Sequence, residues 1–270
     1  MSFEAINSNT KSNINSIHQS PEWKAAFERN PWLKSSAYNV LLCMSTDGVN
    51  PFRSGQHSCW PIAFKVLNLP PDMASRTDLL ILAGIIHGPR KPKIFQAYNL
   101  LIVDEILELR RGIISTCGPI SVTFRGDMIC HSCDLPAHSL VMNQSSVGAH
   151  WGCLKCMLRG RTVCRRQAYG QVRRYLPTDH RFRTDPGFGE PEVRLAPEAR
   201  TGAGTEAAAT LAAVQFAANT PKSQAVDTRG VLGECELRRL HYDYTNGAMI
   251  DPAHVAKDVM KKVQLCPTCY

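Results

Sequence analysis

Three apolar runs in close succession constrain the fold most: NVLLCMSTD (39–47), CWPIAFKVLNL (59–69) and LLILAGIIHG (79–88). Short runs bounded by turn-forming residues are expected to be strands. Pro70 and Pro71 separate the second from the third, which stops at HGPRKP, where a glycine and two prolines cannot continue a central strand. The next segment, FQAYNLLIVDEILELRRG (95–112), has no internal Gly or Pro and closes with two arginines before a glycine, as helix ends do. After a turn at Cys117-Gly118-Pro119, GDMICHSCDLP (126–136) is expected to be a fourth strand with a helix behind it. The predicted order is strand, strand, strand, helix, strand, helix, an α/β chain. In a mixed sheet with a central first strand, the fourth strand pairs beside the first. Each of these two ends at an acid, Asp47 and Asp134.

The flanks are of different character. The first twenty residues are rich in Ser and Asn and are expected to be a disordered tail, followed by a short helix with aromatic anchors in PEWKAAFERNPWL. Residues 184–206 carry Pro, Gly and charge without periodicity, as a linker or exposed insertion does. AAATLAAVQFAA (207–218) favours a helix through the high helix propensity of Ala, and a last helix is expected over 251–264. The resulting partition is a polar tail and short helix (1–38), a first part of the core (39–150), a Cys/Arg-rich segment and linker (151–206), and a truncated C-terminal helical part of the core (207–270).

Composition removes several classes. Hydrophobic residues at 44% and charged residues at 20% exclude a wholly disordered or collagen-like chain. The net charge of +8 is mildly basic. The N-terminus lacks the apolar core of a secretion signal, and the longest apolar run, LLILAGII (79–86), is far short of the roughly 20 residues that cross a bilayer. The chain is expected not to be secreted, with reduced thiols and no membrane partner. In such a compartment eleven cysteines suggest metal ligands or core residues before disulfides, and six of them form three C-x-x-C pairs.

Three constellations could carry chemistry. Asp47 and Asp134, brought together by a fold, could converge on two divalent ions in phosphodiester cleavage; the alternative is that each caps a turn. Eight arginines (Arg159, Arg161, Arg165, Arg166, Arg173, Arg174, Arg181 and Arg183) are interleaved with Tyr169, Tyr175 and Phe182, a composition suited to phosphate-backbone contact. Of the cysteine pairs, Cys130 and Cys133 fall in a predicted strand on opposite faces and are expected to be core thiols, while Cys266 and Cys269 end the chain. Trp60 and Trp151 are expected to be core residues. A cysteine-based redox or hydrolytic enzyme ranks last, for want of a nucleophile context.

MSTDGVNPFRSGQHSCWPIAFKVLNLPP (44–71), LAGIIHGPRKPK (82–93), CDLPAHSLVMN (133–143), YGQVRRYLPTDHRFR (169–183) and RGVLGECELRRLHYDYTNGAMIDPAHVAKDV (229–259) resemble, in order and spacing, the transposases of CACTA (En/Spm-type) DNA transposons. The resemblance implies an RNase H-like mixed sheet flanked by helices with an irregular Cys/Arg-rich insertion, and a DDE/D site using Mg²⁺ or Mn²⁺. It makes Asp47 and Asp134 the first two catalytic acids. The family's third acid lies further downstream and is expected to be missing here, with Asp251 and Asp258 the local candidates. The family's C-x-x-C maps to Cys153 and Cys156 and its Asp-x-x-His to Asp251 and His254, implying a zinc site completed by His254 and one more donor. Val172 stands where a further histidine donor is expected. The implied partner is DNA, with a homo-oligomer allowed. The implied function is metal-dependent cleavage and strand transfer in the complete family member, incomplete in this chain. The alternative is a non-catalytic, zinc-stabilised nucleic-acid-binding module.

Overall fold

The computed structural model describes residues 17–51, 58–74, 76–88, 90–157, 159–164, 171–174, 201–243 and 247–250. They divide between two compact units, Met1–Ser132 with Glu236–Met249, and Cys133–Cys235 with Ile250–Tyr270.

The first unit is built on a five-stranded mixed sheet. Its strands are β1 (Val40–Thr46), β2 (Ser58–Val66), β3 (Ile81–Gly88), β6 (Gly126–Cys133) and β9 (Ala248–Ile250), in the order β3-β2-β1-β6-β9. β2 is antiparallel to both β1 and β3, whereas β6 runs parallel to β1. The central place of the first strand and the flanking place of the fourth apolar run agree with the order read from sequence. Leu41 through Met44 are buried in succession, as a strand covered on both faces requires. A bulge at Ile129 shifts the β1–β6 register, so Leu42 faces Met128 while Cys43 faces Cys130.

Helix α1 (Pro21–Arg29) covers part of this sheet. It starts because the Ser20 hydroxyl accepts the Trp23 N–H at 3.1 Å and Pro21 occupies the first turn, and it ends at Asn30. Trp23 and Ala26 pack with Leu33, Leu41, Cys43, Leu67, Ile129 and Cys130 in one buried cluster. After a short turn, α2 (Pro71–Ala74), and β3 comes α3 (Gln96–Arg111). Its buried residues Asn99, Ile102, Val103 and Ile106 fall on one helical stripe, and Gly112 stops it at φ +109° with its N–H on the Glu108 and Leu109 carbonyls.

The segment expected as a turn around Gly118 is a complete hairpin, β4 (Ile113–Cys117) with β5 (Ile120–Phe124). Its strands are mostly exposed, Ile114 at 72%, and β5 (ISVTF) carries an apolar–polar alternation that the reading of a simple turn passed over. Gly126 then lets β6 begin hard against its neighbours, since a Cβ there would lie 2.6 Å from Leu109 Cδ2 and 2.9 Å from Val40 Cγ2.

One buried acid ties these parts together. Asp127, 2% exposed, accepts from Arg110 Nε at 3.0 Å and Nη2 at 2.7 Å, from Asn30 Nδ2 at 2.6 Å and from the Met128 N–H at 2.8 Å. Arg110 also donates to the Leu240 carbonyl, in a 3-10 turn over Glu236–Leu240. From that turn the chain returns to the sheet. Tyr242 shares a 3.0 Å hydrogen bond with His131 Nδ1, and the His131 N–H donates to the Gly247 carbonyl before β9.

The second unit holds α4 (Leu135–Val141), the ribbon of β7 (Arg161–Cys164) and β8 (Gln171–Arg174), and α5 (Gly202–Ala217). α5 begins within the stretch expected as linker, because the Thr201 hydroxyl accepts the Gly204 N–H at 3.1 Å and caps it there. The chain after α5 returns to the residues following α4. Gln144 bridges Val231, Leu232 donates to the Asn143 carbonyl, and the Cys235 thiol donates to the Val141 carbonyl. Among the described residues no helix is long and apolar enough to cross a membrane.

Candidate functional site

The two acids follow strands whose pairing is explicit. The parallel β1–β6 ladder ends with Ser45 opposite Ser132; Asp47 lies two residues beyond the first and Asp134 two residues beyond the second. Asp47 is half-buried at the exit of β1, and its Oδ1 accepts the Gly48 N–H at 2.6 Å. Asp134 is half-buried and is the N-cap of α4, its Oδ1 accepting the Ala137 N–H at 2.7 Å with Pro136 in the first turn. Both therefore make the local turn or cap bond that the plainer reading of the sequence anticipated. At Asp47 that bond engages one of the two carboxylate oxygens.

Carboxylate oxygens are the donors that Mg²⁺ and Mn²⁺ prefer, so the residue types fit such ions. Among the described residues no group of three or more His, Cys, Asp or Glu is gathered for a metal. Asp251, His254 and Asp258, expected as further ligands or acids, lie outside the described residues.

Cys153 and Cys156 are both buried, and the turn between them brings the Cys156 thiol to 3.2 Å from the Cys153 sulfur. Zinc–sulfur bonds of about 2.3 Å at a tetrahedral angle span roughly 3.8 Å between sulfurs, so a small opening of the turn would suit one ion. Cys130, expected as a core thiol, is buried opposite Cys43. The hydrogen bond between the two lowers the Cys43 thiol, while that bond and burial push Cys130 up.

Of the arginines, Arg159 is exposed, with its guanidinium carbon 6.0 Å from the Trp151 ring centre. Trp151 is half-buried, not a core residue, and its indole N–H donates to Asp227 Oδ2 at 2.8 Å. The β7–β8 register sets Arg161 opposite Arg174 and Thr162 opposite Arg173. This ribbon was not foreseen; its strands are four residues each, too short for a periodic signal. Arg165, Arg166, Arg181 and Arg183 lie outside the described residues.

A family model described as transposase family tnp2 matches residues 13–210, well over half of the chain. The match spans Asp47, Asp134, the Cys153–Cys156 pair and the β7–β8 ribbon, and stops before the segment from 229 onward. No curated protein matches. The strand-end aspartates, the cysteine turn and the arginine ribbon thus all fall within the matched region, and the chain belongs to the transposase family tnp2.

Proposed function

We propose that this transposase-family chain carries the first two acids of a CACTA-type, RNase H-like nuclease and strand-transfer site, Asp47 and Asp134, and that its arginines contact the DNA backbone. The observation that carries the reading is the parallel β1–β6 register, with an aspartate two residues beyond Ser45 and another two beyond Ser132. The strand order β3-β2-β1-β6-β9 supports the RNase H-like assignment. Asp47 and Asp134 would hold Mg²⁺ or Mn²⁺, which supplies charge neutralisation at the scissile phosphate and an acidified water. Water attack breaks a phosphodiester and frees a 3′-hydroxyl, and that hydroxyl is the nucleophile toward target DNA. Asp258 or Asp251 is the local candidate for a third acid.

The second reading is a non-catalytic, zinc-stabilised nucleic-acid-binding module, favoured by the sulfur pair Cys153–Cys156 and the ribbon register Arg161↔Arg174. Arginines at paired positions of a two-stranded ribbon concentrate positive charge along the chain, which suits contact with a phosphate backbone. A nuclear location follows from either reading.

Nicking of supercoiled plasmid in Mn²⁺ separates the two. The first reading expects weak nicking that Asp47→Asn and Asp134→Asn each abolish; nicking indifferent to Asp47→Asn refutes it. Salt-sensitive DNA retention with no nicking leaves the second.

A further inference from the structure

Gly48 and Trp60 meet where β1 delivers the chain to Asp47. The pairing Thr46↔Ile62 and the isolated bridge Val49↔Cys59 belong to one antiparallel register, which sets Gly48 opposite Trp60. The bridge is closed by two hydrogen bonds of 2.8 Å, Val49 N–H to the Cys59 carbonyl and Cys59 N–H to the Val49 carbonyl, so the strands stay locked beyond the acid.

Gly48 lies directly against the indole. A Cβ there would sit 2.8 Å from Cε2, 2.9 Å from Cζ2 and 3.0 Å from Nε1 of Trp60. These separations are shorter than carbon atoms tolerate, so the close approach requires a glycine. The ring cannot easily withdraw: Trp60 is 6% exposed, on a strand paired on both sides, with Ile86 of β3 across from it. Its N–H and the buried Thr46 Oγ1 find no hydrogen-bond partner among the described residues, so packing holds the ring. The same glycine's N–H holds Asp47 Oδ1 at 2.6 Å. The order of contact is ring, glycine, carboxylate.

We infer that Trp60 is a positioning residue for the Asp47 carboxylate, acting through Gly48. The inference rests on the reading of Asp47 as a metal-binding acid. An N–H that orients a ligand oxygen is only as well placed as the peptide carrying it, and the indole fixes that peptide. With Oδ1 tied down in this way, Oδ2 is presented to a cation in one orientation.

The probe is Mn²⁺ alone, its binding to the full chain followed by loss of the free-ion electron paramagnetic resonance signal. Asp47→Asn first tests the underlying reading: if it binds Mn²⁺ as the wild type does, Asp47 is no ligand and the inference falls with it. Where Asp47→Asn removes the binding, Gly48→Ala should weaken Mn²⁺ about 10-fold or more, the usual cost of disturbing a ligand's support. Trp60→Phe lacks Nε1, Cε2 and Cζ2, the three atoms that lie against Gly48, and should by itself weaken Mn²⁺ in the same direction. The double variant Gly48→Ala/Trp60→Phe should regain most of the affinity lost by Gly48→Ala, because the added methyl then has room. Circular dichroism checks the fold of each. Should Gly48→Ala fail to fold, Trp60→Leu, which removes the floor without adding a methyl, should show the same weakening. Wild-type affinity in whichever of Gly48→Ala or Trp60→Leu folds, or a double variant no better than Gly48→Ala, overturns the inference and leaves Trp60 a core residue.

Discussion

Removing Arg110 tests how the first unit holds a buried charge. In Arg110→Met, Asp127 loses two of its four donors, both from one guanidinium, and keeps Asn30 Nδ2 and the Met128 N–H. Breaking one side of a buried pair costs ~3–5 kcal/mol, a large share of the roughly 5–15 kcal/mol that stabilises a folded protein. The cost should depend on pH in a defined direction. Burial already pushes the Asp127 carboxyl above the usual range, while Arg110, the Met128 N–H and Asn30 pull it back. A carboxyl raised on folding contributes stability below its unfolded pKa of ~3.9 and loses it as pH rises through the folded value. Without Arg110 the folded value climbs further. The variant should therefore be only mildly weaker near pH 4 and fall behind the wild type by up to ~1.4 kcal/mol per pH unit until Asp127 ionises. Urea unfolding at half-unit pH steps, followed by circular dichroism, measures this directly. A deficit that is flat with pH, or below ~1 kcal/mol at pH 7, would refute the claim that Arg110 compensates a buried carboxylate. The double variant Arg110→Met/Asp127→Leu should recover most of the loss, since an apolar pair leaves no unpaired charge.

Two further outcomes follow from the second unit. Elemental analysis of the full chain should find about one zinc per molecule, lost in Cys153→Ser; a metal-free wild type of equal thermal stability would remove the zinc reading. On the proposed DNA contact, Arg174→Ala should weaken DNA binding across sequences and reduce the slope of log affinity against log salt by about 1; an unchanged slope would take the ribbon off the DNA.

What could be read along the chain was set by how much each segment is buried by its neighbours. β1, β2, β3, α3 and β6 declared themselves because apolar runs end at Gly, Pro or an acid, and their observed limits lie close to the runs. The β4–β5 hairpin was read only as its turn at Gly118, with φ +61°, although ISVTF alternates apolar and polar residues, because its strands are short and largely solvent-facing rather than a continuous apolar run. The Glu236–Leu240 turn is fixed by Arg110 reaching the Leu240 carbonyl from 130 positions earlier, a contact invisible to local pattern. Asp47 and Asp134 were legible as strand-terminal acids, whereas the bearing of Trp60 on Asp47 needed the register that opposes it to Gly48.

The contrast between Asp127 and Asp47 bears on the proposal that Asp47 binds a cation. Asp127 lies inside β6, where a carboxylate survives because four protein donors, three on Oδ1 and one on Oδ2, hold it. Buried at 2% exposure and held by these donors, it is out of reach of an ion from solution. Asp47 stands one residue past the end of β1, half-exposed, with a single backbone donor on Oδ1. The buried succession from Leu41 to Met44 leaves no place for an unsatisfied charge within the strand, so an acid that is to coordinate an ion must follow it. On the proposed reading, the strand would supply the position and its end the room for an ion. On that argument Asn at position 127 would disturb folding without touching Mn²⁺ binding, and Asn at position 47 would do the reverse.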